Sequence, residues 1–513
     1  MKKFFCILLV FALAFGLAAC TTTDGPGMVN SSVEGNLLKI EGKAGLTAGK
    51  LEGLEISEEN GVASLVLKDG VQEGTFTSQE YQTDEFTHMV ATWNAFIYEG
   101  GSVEILARAE FGDKWTEWLT WGEFTPYARR GSVKDKKCDD AYVDVDTFIL
   151  KNGQQAHHVQ IMAVLRRDEE HPHAPSPELR RVCMTFAGGT MLASYAEEPL
   201  ETLPDKAICE APGLSQEIRY SSIADSICSP TTMTVMLLSR IKDPDLRAYT
   251  VLLPEMYALM TEDNAEDMFG NWSFTCSGAG LYGYECYAQY AGRDILLQEL
   301  AKGHTCGINV VYTNKKSDGR PYLEGAEGGT DGHLIAITGY EYEDGLIDDE
   351  HLYFYSSDSY TYADENAFRR YKWTQLSQCW TKRVAYIIPS DEPEAVRTDG
   401  GPLYTVAANL EALGGGEFVM TGGVRSDGVY VDFDTYEFER GDGLIAWCAE
   451  SLDAPYYANN KFNYTRVAAG GKIKLNVPET GFVSVYAISP WGYCWTAAIQ
   501  DGEPVPTFAV EGN

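Results

Sequence analysis

The stretch that decides the fold is Ile227-Cys228-Ser229-Pro230-Thr231-Thr232-Met233. Proline suits the first turn of a helix, where its missing N–H costs nothing, and the apolar side chains that follow recur at helical spacing. The stretch therefore predicts a helix that begins at Cys228 and turns one face towards a core. A thiol at the positive end of a helix lies beside unpaired backbone N–H groups, which favour the thiolate and leave donors for an oxyanion.

Two apolar runs further along the chain predict a pair of strands. His333 begins the first run and Asp358 ends the second. The acidic stretch 343–350 between them is rich in turn residues, so we expect a hairpin in which His333 faces Asp358. A carboxylate against one imidazole nitrogen fixes the tautomer, and the other nitrogen is free to take the thiol proton. Cys228, His333 and Asp358 are therefore the predicted catalytic residues.

These motifs resemble the C39-like branch of the papain-like cysteine peptidases. The resemblance rests on Cys-Ser-Pro-Thr-Thr at 228–232, on Gly-His-Leu-Ile at 332–335 and on Asp358, and it covers residues 205–390. It implies a papain-like fold and hydrolysis of peptide or amide bonds through a Cys-His-Asp triad. It implies no cofactor.

The same resemblance implies further site residues. Gln216, in the Ser-Gln pair that precedes the nucleophile, corresponds to an oxyanion donor. Asn271 and Trp272 lie in a Gly-Asn-Trp segment that is similar to one in the family, and they are the predicted substrate contacts, with packing as their alternative role. Ser359 follows Asp358 where many relatives have proline.

Two other functions remain open at this point. A transglutaminase-like acyl transferase uses the same order of Cys, His and Asp, and differs in that an amine instead of water accepts the acyl group. The other alternative is a surface lipoprotein that binds glycan or peptide and has an inactive peptidase-like site. In that case Cys228 would fail to react with electrophiles.

The start of the sequence predicts export and a lipid anchor. Two lysines precede an apolar stretch, and the sequence Leu-Ala-Ala-Cys that ends at Cys20 has the form of a bacterial lipobox. We expect a signal peptide over residues 1–19, acylation of Cys20, and a linker over residues 20–36 that holds the folded part at the cell membrane or cell surface, outside the cytoplasm. The apolar stretch is shorter than the ~20 residues that a membrane-spanning helix needs.

Regions on both sides of the peptidase-like segment predict β-structure. Residues 37–195 and 400–513 contain alternating or apolar runs between Gly, Asp and Asn turns, which is typical of β-sandwiches. The predicted fold class is therefore α+β, with a papain-like domain between an N-terminal β-sandwich-like domain and a small C-terminal β-sandwich. Tryptophans of the first β-domain could stack on sugar rings if exposed, although buried tryptophans are commoner. They are Trp93, Trp115, Trp118 and Trp121.

Charge and composition limit the partners. The chain has 40 Lys and Arg against 75 Asp and Glu, a formal net charge of −35. A surface this acidic argues against a nucleic-acid partner. The partners that we expect are a peptide or protein substrate, the membrane through lipidated Cys20, and cell-envelope or glycan contacts of the β-domains.

No metal site is predicted. The chain has no C-x-x-C pair, which is the usual cysteine spacing of structural zinc sites. His157-His158 and the His-Pro-His sequence at 171–173 are the histidine clusters that could bind a metal. Histidines in a polar loop usually bind none, so the sequence favours the absence of a metal.

Overall fold

The computed structural model describes residues 33–397 apart from 128–130, 133–135, 189–202, 220–221, 243–252 and 317–318, and beyond residue 397 it describes only strands. Cys20, the predicted signal peptide and residues 20–32 of the predicted linker lie outside the described residues. The described chain is mostly β-sheet with a few helices, which agrees with an α+β class that has more than one β-rich region. None of the described helices has the length and apolar character needed to cross a membrane.

The described residues of the first region form fifteen strands in two antiparallel sheets. Its elements are β1 (Val33–Glu34), β2 (Leu37–Glu41), α1 (Gly42–Thr47), β3 (Lys50–Glu52), β4 (Leu54–Glu59), β5 (Val62–Leu67), β6 (Glu73–Thr77), β7 (Tyr81–Phe86), β8 (His88–Phe96), β9 (Gly101–Phe111), β10 (Lys114–Trp115), β11 (Leu119–Phe124), β12 (Ala141–Asp144), β13 (Thr147–Leu150), β14 (Ala156–Arg167) and β15 (Glu178–Ala187). The eight-stranded sheet has the order β1-β2-β15-β8-β13-β12, with β5 on β15 and β4 on β5. The seven-stranded sheet has the order β10-β9-β14-β6-β3, with β7 on β14 and β11 on β9. Apolar residues of both sheets, such as Trp93 and Ile161, belong to one core, as in a β-sandwich.

The second region is a seven-stranded antiparallel sheet with helices on both faces. Its elements are β16 (Lys206–Ile208), α2 (Cys228–Leu238), α3 (Pro254–Thr261), α4 (Trp272–Leu281), β17 (Tyr287–Tyr290), α5 (Arg293–Ala301), β18 (Cys306–Thr313), β19 (Gly329–Tyr342), β20 (Leu352–Ser357), β21 (Phe368–Lys372), α6 (Trp373–Cys379) and β22 (Val384–Ile387). The order is β17-β22-β18-β19-β20-β21, with β16 on β19. On β19, Leu334 and Ala336 join the core that contains α2 and α4, whereas Ile335 and Ile337 join the core that contains α5 and α6. This alternation follows from the two-residue period of a strand.

Helix α2 begins at Cys228, as the sequence predicts, but its burial differs from the prediction. Every residue from Ser229 to Leu238 is buried, whereas the helical spacing of the apolar residues indicated a single buried face. The helix contacts β18 and β19 on one side and α3 and α4 on the other. Threonines can occupy the additional buried positions because their hydroxyls bond within the helix: Thr231 donates to the carbonyl of Ile227, and Thr234 to that of Pro230.

Buried residues of the two regions belong to one hydrophobic core. The predicted domain bounds, 37–195 and 205–390, stay predictions. On the boundary of the two regions, the Ser273 hydroxyl donates to the Ala91 carbonyl at 2.6 Å. Asn94 exchanges two hydrogen bonds with the backbone of Cys286, at 2.9 and 3.1 Å. The backbones approach so closely that a Cβ atom on Gly280 would lie 2.8 Å from the Asn94 Cα. Strand β8 therefore supports α4, which in turn contacts α2.

Beyond residue 397 the chain is described only as strands, whose side chains are outside the description. The strands are β23 (Tyr404–Ala407), β24 (Leu410–Gly414), β25 (Glu417–Met420), β26 (Gly423–Val424), β27 (Tyr430–Val431), β28 (Gly443–Glu450), β29 (Asn463–Val467), β30 (Ile473–Lys474), β31 (Gly481–Ala487), β32 (Tyr493–Gln500) and β33 (Glu503–Val505). Six of them form one sheet, and the others form sheets of three and two strands. This agrees with a β-rich C-terminal region, and the predicted sandwich packing stays a prediction.

Two of the four tryptophans in the first region are fully buried. Trp93 and Trp121 have no exposed surface, so neither can stack on a sugar ring. Trp115 and Trp118 are partly exposed, and their rings lie 4.7 and 4.9 Å from the Arg108 guanidinium. The Arg108 guanidinium therefore covers part of the two tryptophan rings on which a sugar could have stacked.

Candidate active site

Cys228 lies at the accessible end of a buried helix. Its side chain is partly exposed, and the helix behind it is buried. The Ser229 hydroxyl lies 3.0 Å from the Thr275 hydroxyl on α4 and 2.9 Å from the Tyr386 hydroxyl on β22. These contacts hold the start of α2 between α4 and the central sheet, so the thiol has a defined position.

The predicted hairpin is present, and it brings His333 to Asp358. Strands β19 and β20 are antiparallel, and Ala336 pairs with Ser357. This is the last pair of the ladder, so His333 and Asp358 both lie beyond the paired residues and do not face each other directly as expected. Asp358 lies just beyond the end of β20, and its Oδ1 atom is 2.9 Å from the Nε2 atom of His333. Nε2 is thereby engaged, which leaves Nδ1 as the nitrogen for the thiol.

The electrostatics of the site favour a thiolate beside an imidazolium. Burial by itself raises the pKa of the Cys228 thiol, but the hydrogen bond and charge of His333, with backbone N–H donors at Leu334 and Ser229, outweigh it and lower the pKa. Burial by itself lowers the pKa of His333, but the charge and hydrogen bond of Asp358 dominate and raise it to about 10. Asp358 shows the reciprocal effect, since His333 lowers its pKa against the effect of burial.

The Asp358 carboxylate is held by two donors besides the imidazole. The Tyr371 hydroxyl donates to Oδ2 at 2.6 Å, and the Tyr360 backbone N–H donates to Oδ1 at 3.1 Å. The contact of Tyr371 with Asp358 was not predicted from the sequence. Tyr371 lies on β21, where it pairs with Phe354 of β20. No local motif indicates it, because its approach depends on the pairing of a third strand.

Tyr371→Phe should lower kcat by about 10- to 100-fold and leave KM nearly unchanged. The reason is that a hydrogen bond to a charged group contributes about 1.5–3 kcal/mol, and here it restrains the carboxylate that orients His333. Steady-state kinetics on a cleaved peptide measure the effect.

Tyr312→Phe is the matched control for this substitution. Its ring lies edge-on to His333 at 6.2 Å, but its buried hydroxyl has no hydrogen-bond partner among the described residues. Equal losses of kcat in the two variants would contradict a specific role of the Tyr371 hydroxyl.

Gln216 is held between the segments of the nucleophile and the acid. Its Nε2 atom donates to the Ala224 carbonyl at 2.9 Å, and its Oε1 atom accepts from the Ser359 hydroxyl at 2.8 Å. Ser359, which departs from the family pattern, thus anchors Gln216 beside Asp358. The amide has a second N–H group that could serve an oxyanion. The role of Gln216 as an oxyanion donor stays a prediction.

Asn271 is the N-cap of α4, a packing role of the kind given above as the alternative to a substrate contact. It is fully buried, its Oδ1 atom accepts from the Phe274 backbone N–H at 3.1 Å, and its Nδ2 atom donates to Asp263 at 2.9 Å. An amide that is enclosed and bonded in this way has no surface for substrate. Trp272 is 8% exposed, and its backbone N–H donates to Asp146 at 2.7 Å. Contact between Trp272 and substrate stays a prediction.

The described residues contain one cluster of three side chains that could together bind a metal ion. They are Glu110, His157 and His158, all in the first region. In the second region, Cys228, His333 and Asp358 influence one another's pKa, and a hydrogen bond joins His333 to Asp358.

Two family models match the chain. The peptidase C39 N-terminal domain matches residues 37–187, and the peptidase C39 like family matches residues 208–388. The first match spans the two sheets of the first region, and the second contains Cys228, His333 and Asp358. No curated protein matches this chain.

Proposed function

The two family matches assign this chain to the C39-like peptidases, and from that assignment we propose that it is a papain-like cysteine hydrolase that cleaves peptide or amide bonds. The observation that carries the proposal is the hydrogen-bonded order Cys228, His333, Asp358, with the pKa of the thiol lowered and that of the imidazole raised. A buried structural cysteine shows the opposite shift, as Cys183 does, where burial raises the pKa of the thiol to about 12.

In the proposed mechanism the Cys228 thiolate attacks the substrate carbonyl. His333 gives its proton to the leaving amine, which leaves an acyl-enzyme, and then takes a proton from the water that hydrolyses it. Asp358 holds the imidazole by Nε2 and stabilises the imidazolium. The Cys228 backbone N–H and the second amide hydrogen of Gln216 receive the developing oxyanion.

We also propose that the enzyme acts outside the cytoplasm while held to the membrane by lipid on Cys20. This part rests on the sequence, in which small residues and a cysteine follow a short apolar stretch. Mass spectrometry of the N-terminal peptide from cells checks it: a diacylated Cys20 is expected, and an intact Met1 would overturn the proposal.

The activity itself is tested by incubating the purified chain with a peptide library and sequencing the new termini. Water as acceptor gives free carboxylates. If a primary amine added in excess appears on the products instead, the acyl transferase alternative is the better one.

The pH dependence of kcat/KM should be a broad bell with an alkaline limb near pH 10. Thiolate forms above the lowered pKa of Cys228, and the imidazolium persists up to the raised pKa of His333, about 10, so the active pair exists between the two values. Asp358→Asn should move the alkaline limb to lower pH, because the charge of Asp358 is what raises the pKa of His333. An alkaline limb at the ordinary histidine value of ~6.5 would contradict the ion pair.

A further inference from the structure

Three potential metal ligands meet on the seven-stranded sheet of the first region, away from the elements that carry the catalytic groups. Glu110 lies on β9, and His157 and His158 lie on β14. One ligand atom from each side chain lies within 4.8 Å of the other two, and all three residues are partly exposed. His158 pairs directly with Glu110 in the ladder, so the two side chains stand on one face.

His157 joins this group through an irregularity in the sheet. Consecutive side chains on a strand normally point to opposite faces, yet the rings of His157 and His158 lie 4.5 Å apart. The register between β14 and β7 shifts between Ala156 and His158, at the position of His157. Irregularities of this kind re-aim side chains, and they are frequent beside functional sites.

The contact between His158 and Glu110 is close but is not a hydrogen bond. The Nδ1 atom lies 2.8 Å from the Oε2 atom of Glu110. Nevertheless this buried nitrogen has no aligned hydrogen-bond partner among the described residues. An imidazolium bonded to a carboxylate would be aligned, because hydrogen bonds prefer angles above ~150°. A nitrogen and an oxygen that converge without such alignment are suited to share a cation.

We propose that Glu110, His157 and His158 bind a divalent transition-metal ion, with zinc(II) as the best fit. Two imidazoles and one carboxylate form a zinc ligand set that leaves a fourth position for water. In a tetrahedral site with metal–ligand bonds of about 2.0–2.2 Å, ligand atoms are ~3.3 Å apart. The contact between His158 and Glu110 is 2.8 Å, and no two of the ligand atoms are more than 4.8 Å apart, so small side-chain rotations would complete the site.

This site differs from the sequence-based expectation that the histidines bind no metal. That expectation assumed a polar loop, whereas both histidines lie on a strand, which holds them beside a carboxylate from the neighbouring strand. The formal charge of −35 favours a cation at the surface.

The test is calorimetric titration of ZnCl2 into the full chain carrying Cys228→Ala, which removes the reactive thiolate as a competing ligand. We expect one zinc ion whose affinity falls by about 100-fold or more in His158→Ala and in Glu110→Gln, since even outer-shell partners contribute 10- to 100-fold.

His173→Ala is the matched control, because His173 lies in the same region but outside the cluster, and it should bind zinc as the parent does. Circular dichroism checks the fold of each variant, and His157→Gln replaces any variant that fails to fold. The proposal is wrong if the parent binds no zinc at micromolar concentration, or if His158→Ala, Glu110→Gln and His157→Gln bind as tightly as the parent. Neither outcome bears on the proposed peptidase activity, which uses none of these residues.

Discussion

Cys228→Ala should lower the rate of peptide hydrolysis by about 10⁴-fold or more, because the nucleophile is lost and binding and oxyanion donors alone remain. Such a loss corresponds to about 5.5 kcal/mol in transition-state stabilisation. The substitution should also remove the thiol that alkylates first. Iodoacetamide at pH 6, followed by peptide mapping, measures this second effect without any knowledge of the substrate.

Cys138→Ala is the control for both measurements. Cys138 is partly exposed like Cys228 but lies in the first region, and the other described cysteines are buried. Among the buried cysteines, desolvation raises the pKa of Cys209 to about 11 and that of Cys379 to about 12, which suppresses their thiolates at pH 6. If Cys138 is alkylated faster than Cys228, the nucleophile assignment is wrong. If Cys228 does not react at all, the binding-protein alternative becomes the better explanation.

Asp358→Ala should lower kcat by about 10²- to 10⁴-fold while KM changes little. The carboxylate contacts the imidazole and not the substrate in the proposed mechanism, so its loss affects the transition state more than ground-state binding. Removal also leaves the Tyr371 hydroxyl and His333 Nε2 without the acceptor that they share. Initial rates over a range of substrate concentrations separate the two constants.

Asp348→Ala is the control for this substitution. Asp348 lies in the loop of the same hairpin, is exposed, and bonds to His351 instead of His333. Its replacement should leave kcat within about twofold, as is usual for surface positions. Full turnover by Asp358→Ala on a peptide that Cys228→Ala cannot cleave would reduce the triad to a dyad and require another group to orient His333.

The hairpin of β19 and β20 is a feature that could be predicted from the sequence. Apolar runs and a turn-rich acidic stretch are local signals, and they were sufficient to predict that β19 and β20 pair. The turn contains Asp344 and Gly345, both with positive φ, which fits the turn chemistry of those residue types. The register differs from the expected one, since the pairing shifts between Ile337 and Gly339 and ends at Ala336 and Ser357, so that Asp358 lies beyond the strand.

Helix α4 begins with residues whose roles depend on tertiary packing. The Gly-Asn-Trp segment resembles the family, but whether a residue contacts substrate or caps a helix depends on what packs around it. Asn271 is enclosed because the first region covers this end of α4, and Asp146 of that region accepts from the Trp272 backbone. No pattern within residues 205–390 contains that information.

Residues close together in the chain were sufficient to predict the start of α2 at Cys228, a strand at His333 and the order of the three catalytic candidates, because proline position, helix-end chemistry and apolar runs act within a few residues. The other features depend on tertiary packing. It joined the first and second regions through one core, brought Tyr371 to Asp358, and set Glu110 beside His157 and His158. The physical reason is that these contacts join residues far apart in the chain, so they depend on sheet register and packing.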